Sequence, residues 1–316
     1  MSGNFKEQFG HDIELIDREI GAFTPNVEAP LFYDPIRYML NLKGKRIRPL
    51  LVLLCAEACA GKKENALAAA AAVELLHNFT LVHDDIMDQD DFRRGQLTVH
   101  KKWDISTAIL AGDGLMGLAF QKLLESPVGD RAVMTARMVQ TMIIICEGQA
   151  LDKSFENQKL VSVEQYMDMI ARKTAVLLEL SCELGGLAAE TDDKTIENLK
   201  KFGYHLGLGF QIQDDLLDII AAENNLGKKI GSDLKMHKQT LLTIRLREKL
   251  RQPDFYDKDL ETFKKLLHDT GVQGEIETEY KSQFRLAFAA LECLPVTSQR
   301  DRLYSLAKMI ENRTWR

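Results

Sequence analysis

The sequence predicts an all-α protein, and three observations carry that prediction. Only 7 prolines occur, none between Pro49 and Pro127 or between Pro127 and Pro253. An interior proline costs a helix about 3 kcal/mol, so these long Ala- and Leu-rich blocks favour helix. No alternating polar–apolar run of useful strand length appears, and no short repeat. With 316 residues, 45% hydrophobic and 28% charged, the chain can bury a substantial core. A single domain over 1–316 is the simplest account.

Taken in order, residues 1–35 read as a short polar helix followed by a loop with Pro25, Pro30 and Pro35. Residues 36–43 start a helix that breaks at Gly44. The run KGKRIRP then brings Lys43, Lys45, Arg46 and Arg48 within six residues, closed by Pro49. Helix resumes to Gly61 and again over 64–88, where a run of alanines permits close packing. Further helices are expected at 104–126 and 130–152. Ser162 and Gln165 form a capping box that opens a helix through KTAVLLELSCELGG. Residues 192–222 are helical, 226–238 form a Gly- and Lys-rich loop, 239–251 are helical, and three more helical stretches follow from 257.

Net charge is −6, so nothing global recruits nucleic acid, and the basic residues sit in short clusters suited to a small anion. The five cysteines are odd in number and lack a CxxC pair, which fits a reducing compartment. No uninterrupted apolar run reaches the roughly 18 residues that span a bilayer. The start, MSGNFKEQFG, has no apolar core of a signal peptide. A cytoplasmic protein without a transmembrane segment is expected.

Chemistry concentrates at 74–100, where Asp84, Asp85, Asp88, Asp90 and Asp91 crowd into eight positions and Arg93 and Arg94 follow. Asp84 and Asp88, at i and i+4, share a helical face. Acids this close repel unless a cation sits between them, and hard divalent metals take such oxygen ligands. Guanidinium groups beside them suit phosphate oxygens. The combination points to a metal-bridged phosphate ester. A second DDxxD stands at Asp214, Asp215 and Asp218, with Gln211 on the same stripe of an otherwise apolar helix. Chance would give this pattern about 0.08 times in such a chain. Two clusters on opposite sides of one diphosphate would neutralise charge as it leaves.

These segments resemble the trans-isoprenyl diphosphate synthases. The matching stretches are GKRIRP (44–49), ELLH (74–77), LVHDDIMDQDDFRRG (81–95), LAGDGL (110–115), EGQALD (147–152), RKTA (172–175), FQIQDDLLD (210–218) and GKKIGSDLKMHKQTL (227–241). The resemblance implies a helical bundle around a deep central cavity, of isoprenoid synthase type, and usually a homodimer. It implies Mg2+ held by Asp84, Asp88 and Asp214, with Asp85, Asp215 and Asp218 as ligands or just behind them. Arg93, Lys173, Thr174, Gln211, Lys228 and Lys238 would hold the allylic diphosphate (dimethylallyl, geranyl or farnesyl), and Lys45, Arg48, His77 and Arg94 the isopentenyl diphosphate. Asp84, Asp85, Asp88, Arg93, Lys173, Asp214, Lys228 and Lys238 are the expected catalytic set. His237 stands where the family usually has glycine, Leu242 replaces a common proline, and Lys43 replaces the first of two glycines.

The implied reaction is head-to-tail condensation, with C20 the favoured product and C15 next. Phe79 lies five residues before Asp84, and in the family bulk there sets product length. An ideal helical wheel places Thr80 and Leu76 more directly beneath Asp84. Longer-chain synthesis is one alternative. A metal-dependent phosphohydrolase using His83 and Asp84 is another, but the seven histidines show no convergent spacing. Terpene cyclases share the first aspartate motif, but usually mix Asn, Ser or Thr with Glu in their second. A non-catalytic subunit would be expected to lose one acidic cluster. The terminal Arg313 and Arg316 read as solvated, with closure of the C-terminus over the diphosphate as the alternative, and Met134, Met138 and Met142 as a stripe of core or cavity wall.

Overall fold

The computed structural model describes residues 3–23, 29–42, 44–220, 234, 236–251, 255 and 258–313. Helix dominates these residues, as the sequence predicts, and the strands found are two dipeptides. The chain gathers into two compact units of non-contiguous segments. One takes Met1–Gln140, Leu180–Lys200 and Cys293–Leu303, the other Thr141–Glu179, Lys201–Glu292 and Tyr304–Arg316.

The first unit holds α1 (Gly3–Phe23), α2 (Pro30–Asn41), α3 (Ile47–Ala58), α4 (Lys63–Met87), a hairpin of β1 (Phe92–Arg93) and β2 (Gln96–Leu97), α5 (Val99–Lys102), α6 (Ile105–Leu124) and the start of α7 (Arg131–Phe155). α4 packs most extensively against α6 and then α3. Its alanines 68–72 are all buried, and the lack of side-chain bulk there lets neighbouring helices approach. By length and apolarity α4 could cross a membrane, yet 72% of its most apolar window is buried within the protein, as in a core helix. At Gly112 of α6 an added Cβ would lie 2.2 Å from His83 Nε2, so that glycine sets how closely the two helices meet.

The expected proline loop differs from the structure. Pro30 opens α2 at its first turn, where its missing N–H would have no helical partner. Pro35 lies inside the same helix and forfeits one backbone bond. The burial of Ile36, Met39 and Leu40 offsets that loss.

The second unit contains the rest of α7, α8 (Val163–Ile170), a π turn (Ala171–Ala175), the first residues of α9 (Val176–Ala188), most of α10 (Asp193–Ile220), α11 (Leu241–Leu250), α12 (Leu260–Asp269), α13 (Val272–Ala290) and the end of α14 (Ser298–Glu311). Tyr166, Ile170, Ile212, Leu246, Phe263 and Ile276 belong to its apolar core. Truncating a buried leucine such as Leu246 would cost about 2–5 kcal/mol. The capping box forms as read: Ser162 Oγ accepts from Gln165 N at 3.2 Å, and Gln165 Oε1 accepts from Ser162 N at 2.9 Å. The helix it opens is interrupted by the π turn, which the sequence reading did not anticipate.

Candidate active site

The first aspartate motif occupies the end of α4. Adjacent helical residues point about 100° apart, so Asp84 and Asp85 cannot share a direction. Asp84 and Asp88 are half-buried, whereas Asp85 is 1% exposed. Arg93 meets Asp85 with a fork. Its Nε donates to Oδ1 at 2.8 Å and to Oδ2 at 2.9 Å, and its Nη2 lies 2.6 Å from Oδ1. Burial opposes the charge on Arg93, but Asp85 outweighs it and lifts the guanidinium pKa above its usual value. The hairpin delivers this arginine. Its central residues, Arg94 and Gly95, have φ of 52° and 76°, the positive pair that a tight two-residue turn demands. Thr98 pins the return strand by donating through Oγ1 to Asp90 O at 2.8 Å.

The basic run before α3 divides in two. Arg46 turns inward at φ 51°, with Nε 2.8 Å from Asp17, Nη1 2.5 Å from Glu74 and Nη2 donating to Leu40 O at 2.8 Å. Lys45 and Arg48 are half-buried. Arg48 Nη1 is 3.1 Å from His77 Nε2, a geometry that needs that ring nitrogen to accept. Burial first, then Arg48 and Arg94, push the His77 pKa well below its usual value, so the ring is neutral. Arg94 Nη1 donates to Leu42 O at 3.0 Å and lies over Gly44, where an added Cβ would come within 2.8 Å of it. Lys43 falls outside the described residues.

Along α4, His77, Thr80, Asp84 and Asp88 form a half-buried stripe. Leu76 is fully buried, and Phe79 packs its ring edge-on against His83 at 4.9 Å with 7% exposure. Thr80, whose hydroxyl donates to His77 O at 2.8 Å, shares the aspartate face more directly than Phe79 does.

The second motif lies on α10. Asp215, 5% exposed, accepts from Tyr166 Oη and from Gln211 Nε2, both at 2.7 Å. Thr174 Oγ1 donates to Gln211 Oε1 at 2.8 Å, so one chain of bonds runs from Thr174 to Tyr166. Asp214 is half-buried and Asp218 is 1% exposed. Lys173 Nζ meets Asp152 at 2.5 Å. Burial would raise the Asp152 carboxyl, but Lys173 and Lys238 outweigh it and hold its pKa low. A cavity of about 80 Å³ is lined by Asp152, Lys173, Thr174, Gln211, Asp215 and Lys238, among others. Five of those six are residues the sequence singles out. Lys228 lies outside the described residues.

Lys173 and Thr174 sit on the π turn, which two glycines flank. A Cβ at Gly148 of α7 would be 2.4 Å from Lys173 N, and one at Gly207 of α10 would be 2.5 Å from Ala175 Cα. Both contacts are to backbone, which cannot move aside as a side-chain tip can. His237, in the place where glycine was expected, holds φ 54° just before Lys238. Sequence reasoning gave no role to Asp152, although it ends EGQALD, nor to Tyr166. Arg313, expected to be solvated, is 4% exposed and 3.2 Å from Asp214.

Among the described residues no three His, Cys, Asp or Glu side chains converge to hold a metal by themselves. Magnesium is commonly bound by one or two carboxylates, with phosphate oxygens and water completing six ligands. Asp84 and Asp88, hard oxygen donors one turn apart on a half-buried face, suit that arrangement.

Residues 29–269 match the polyprenyl synthetase family. The chain belongs to that family. It is 35% identical to the geranylfarnesyl diphosphate synthase of Natronomonas pharaonis, over 96% of each chain. It is 42% identical to the geranylgeranyl diphosphate synthase of Methanosarcina mazei, over 77% of this chain and 76% of that one. Its fold is similar to that of the geranylgeranyl pyrophosphate synthetase of Pyrococcus horikoshii, with a TM-score of 0.92, 36% identity and coverage of 98% and 99% of the two chains. The all-α architecture expected of a polyprenyl synthetase is therefore the one found.

Proposed function

We propose that the chain is a prenyltransferase that joins isopentenyl diphosphate head to tail to an allylic diphosphate. The product is a short all-trans prenyl diphosphate, C20 before C15, and diphosphate is released. The observation that carries this reading is the doubled DDxxD on α4 and α10, each with a half-buried first aspartate and a second one fixed by its neighbours. Asp84, Asp88 and Asp214 would hold Mg2+, with Asp85, Asp215 and Asp218 as further ligands or supports. Bound magnesium supplies the charge that neutralises the departing diphosphate. Lys173, Thr174, Gln211 and Lys238 would position the allylic diphosphate, with Arg93 and Lys228 assigned by resemblance. Lys45, Arg48, His77 and Arg94 would hold isopentenyl diphosphate, His77 as a neutral group. No protein nucleophile is needed. The residues position two substrates, balance charge and exclude water.

Product length would be set on the stripe below Asp84, and the half-buried Thr80 favours that residue over Phe79 as the near floor. The match over 29–269 runs through segments of both units, which supports one functional domain. A homodimer is supported by the exposed Ile105, Ile109 and Leu110 of α6, apolar groups left facing water in one chain. A cytoplasmic location is proposed on the cysteines, odd in number and without a CxxC pair. The deciding assay gives the purified chain magnesium, radiolabelled isopentenyl diphosphate and each allylic primer in turn, with products resolved by length. Label entering C20 or C15 product is expected; no incorporation with any primer would remove the proposal.

A further inference from the structure

Arg313 is the last described residue of the chain, yet its side chain has 0% exposure. It grips one turn of α10. Nε donates to Gln213 Oε1 at 2.9 Å, and Nη2 donates to Phe210 O at 2.7 Å and pairs with Asp214 Oδ1 at 3.2 Å. The guanidinium carbon lies 3.7 Å from the centre of the Phe210 ring. Gln213 Nε2 in turn donates to Glu311 O at 2.7 Å, which fixes the backbone leading to the arginine. Burying a guanidinium is costly unless such partners meet it, and an apolar residue would fill that space as well. Of the groups that meet the guanidinium, Asp214 is the one that carries the opposite charge.

We infer that Arg313 is a positioning residue for Asp214, holding one carboxylate oxygen so that the other presents a fixed donor to a divalent cation. This rests on the reading of Asp214 as a cation ligand. An aspartate at the half-buried edge of a helix has rotamer freedom that it must lose when a cation binds. A rigid planar donor removes that freedom beforehand, which a lysine on its flexible stem does less well. Arg313 lies about a hundred residues from Asp214 in sequence and joins the segment after α14 to the second acidic motif.

The test measures Mn2+ binding in the presence of inorganic diphosphate, read from loss of the free-ion paramagnetic resonance signal. Wild type, R313K, R313Q, D214N and R302Q are compared, with far-UV circular dichroism as the check of fold. R313Q is expected to weaken Mn2+ binding about tenfold and R313K about threefold, as loss of a ligand's supporting partner does. KM for isopentenyl diphosphate should stay near wild type while the magnesium needed for half-maximal turnover rises. R302Q removes a different arginine, one that pairs with Asp12 and Glu57 in the other unit, and should lower thermal stability without changing Mn2+ binding. The inference is overturned if R313Q and R313K bind within about twofold of wild type while D214N is weakened. It is equally overturned if R302Q weakens binding as much, since the effect would then be general loosening. D214N binding like wild type would remove the ligand assignment itself and this inference with it. If R313Q does not fold, R313K, which keeps the charge, decides by the same measure.

Discussion

Asp85 in the first motif sits against a guanidinium fork, whereas Asp215 in the second sits against a phenol and an amide. The second aspartate of the pattern thus meets a charged partner in one place and neutral hydrogen-bond donors in the other. Near Asp85 the cation is spent on the protein itself, in a rigid bidentate pair. Near Asp215 the cations are Lys173 and Lys238, which line the same cavity on flexible stems. The first motif has its cation locked to its own aspartate; beside the second, Lys173 and Lys238 line the cavity with Asp152, to which Lys173 is paired.

Removing an outward carboxylate should have the largest effect. Asp84→Ala is expected to lower turnover at least about a hundredfold while the helical circular dichroism is unchanged. Near-normal activity would erase the distinction between the outward and inward aspartates. Next come the partners of the inward pair. Arg93→Gln takes the guanidinium fork away from buried Asp85 and should lower unfolding free energy in urea by about 3 kcal/mol. Tyr166→Phe takes one hydrogen bond from Asp215 and should cost about 1.5 kcal/mol. Equal losses would mean that the two motifs are held alike after all.

Four residues before each motif stand Thr80 and Phe210, one small and one large. Thr80→Phe gives the first motif the bulk of the second and should shift products from C20 toward C15, whereas Phe79→Ala should leave the product ladder almost unchanged. A reversed result would return the floor to Phe79. The first motif also has a pH signature. Because His77 titrates lower in the folded protein, the unfolded chain takes up its proton first as pH falls below about 6.5. Stability contributed there is present at neutral pH and lost on acidification, at up to about 1.4 kcal/mol per pH unit. Melting curves of His77→Asn between pH 7 and pH 5 should slope less than those of wild type. The smallest effect belongs to the second unit. His237→Gly relieves a left-handed residue and should raise stability by about 1 kcal/mol, less than any change at the inward aspartates.

Much of this was legible beforehand, for reasons that differ by residue. Proline-free stretches announce α4 and α10, the first of them rich in alanine, and two DDxxD patterns announce the chemistry, because these signals are local. Which aspartate turns inward is not local: it depends on Arg93 arriving through a hairpin too short to leave an alternating pattern. Arg313 looked solvated because a basic chain end has no periodicity, and its burial requires a partner far back in the sequence. Arg46 looked like one more cation in a cluster, yet Glu74 and Asp17 claim it. The π turn leaves no compositional mark at all. Its flanking Gly148 and Gly207 were visible as letters, but their use as clearance for backbone appears only in three dimensions.

A helix that closes one turn with a surplus residue changes the phase of everything after it. From Val176 onward, side chains point about 100° away from where an unbroken helix begun at Ser162 would have sent them. Excising one residue from Ala171–Ala175 would restore ordinary winding and swing the lysine and threonine out of line together. Both DDxxD motifs would keep their letters, yet the hydroxyl that begins the relay to Tyr166 would point elsewhere. Spacing in that short segment is thus as strictly specified as the identity of its letters.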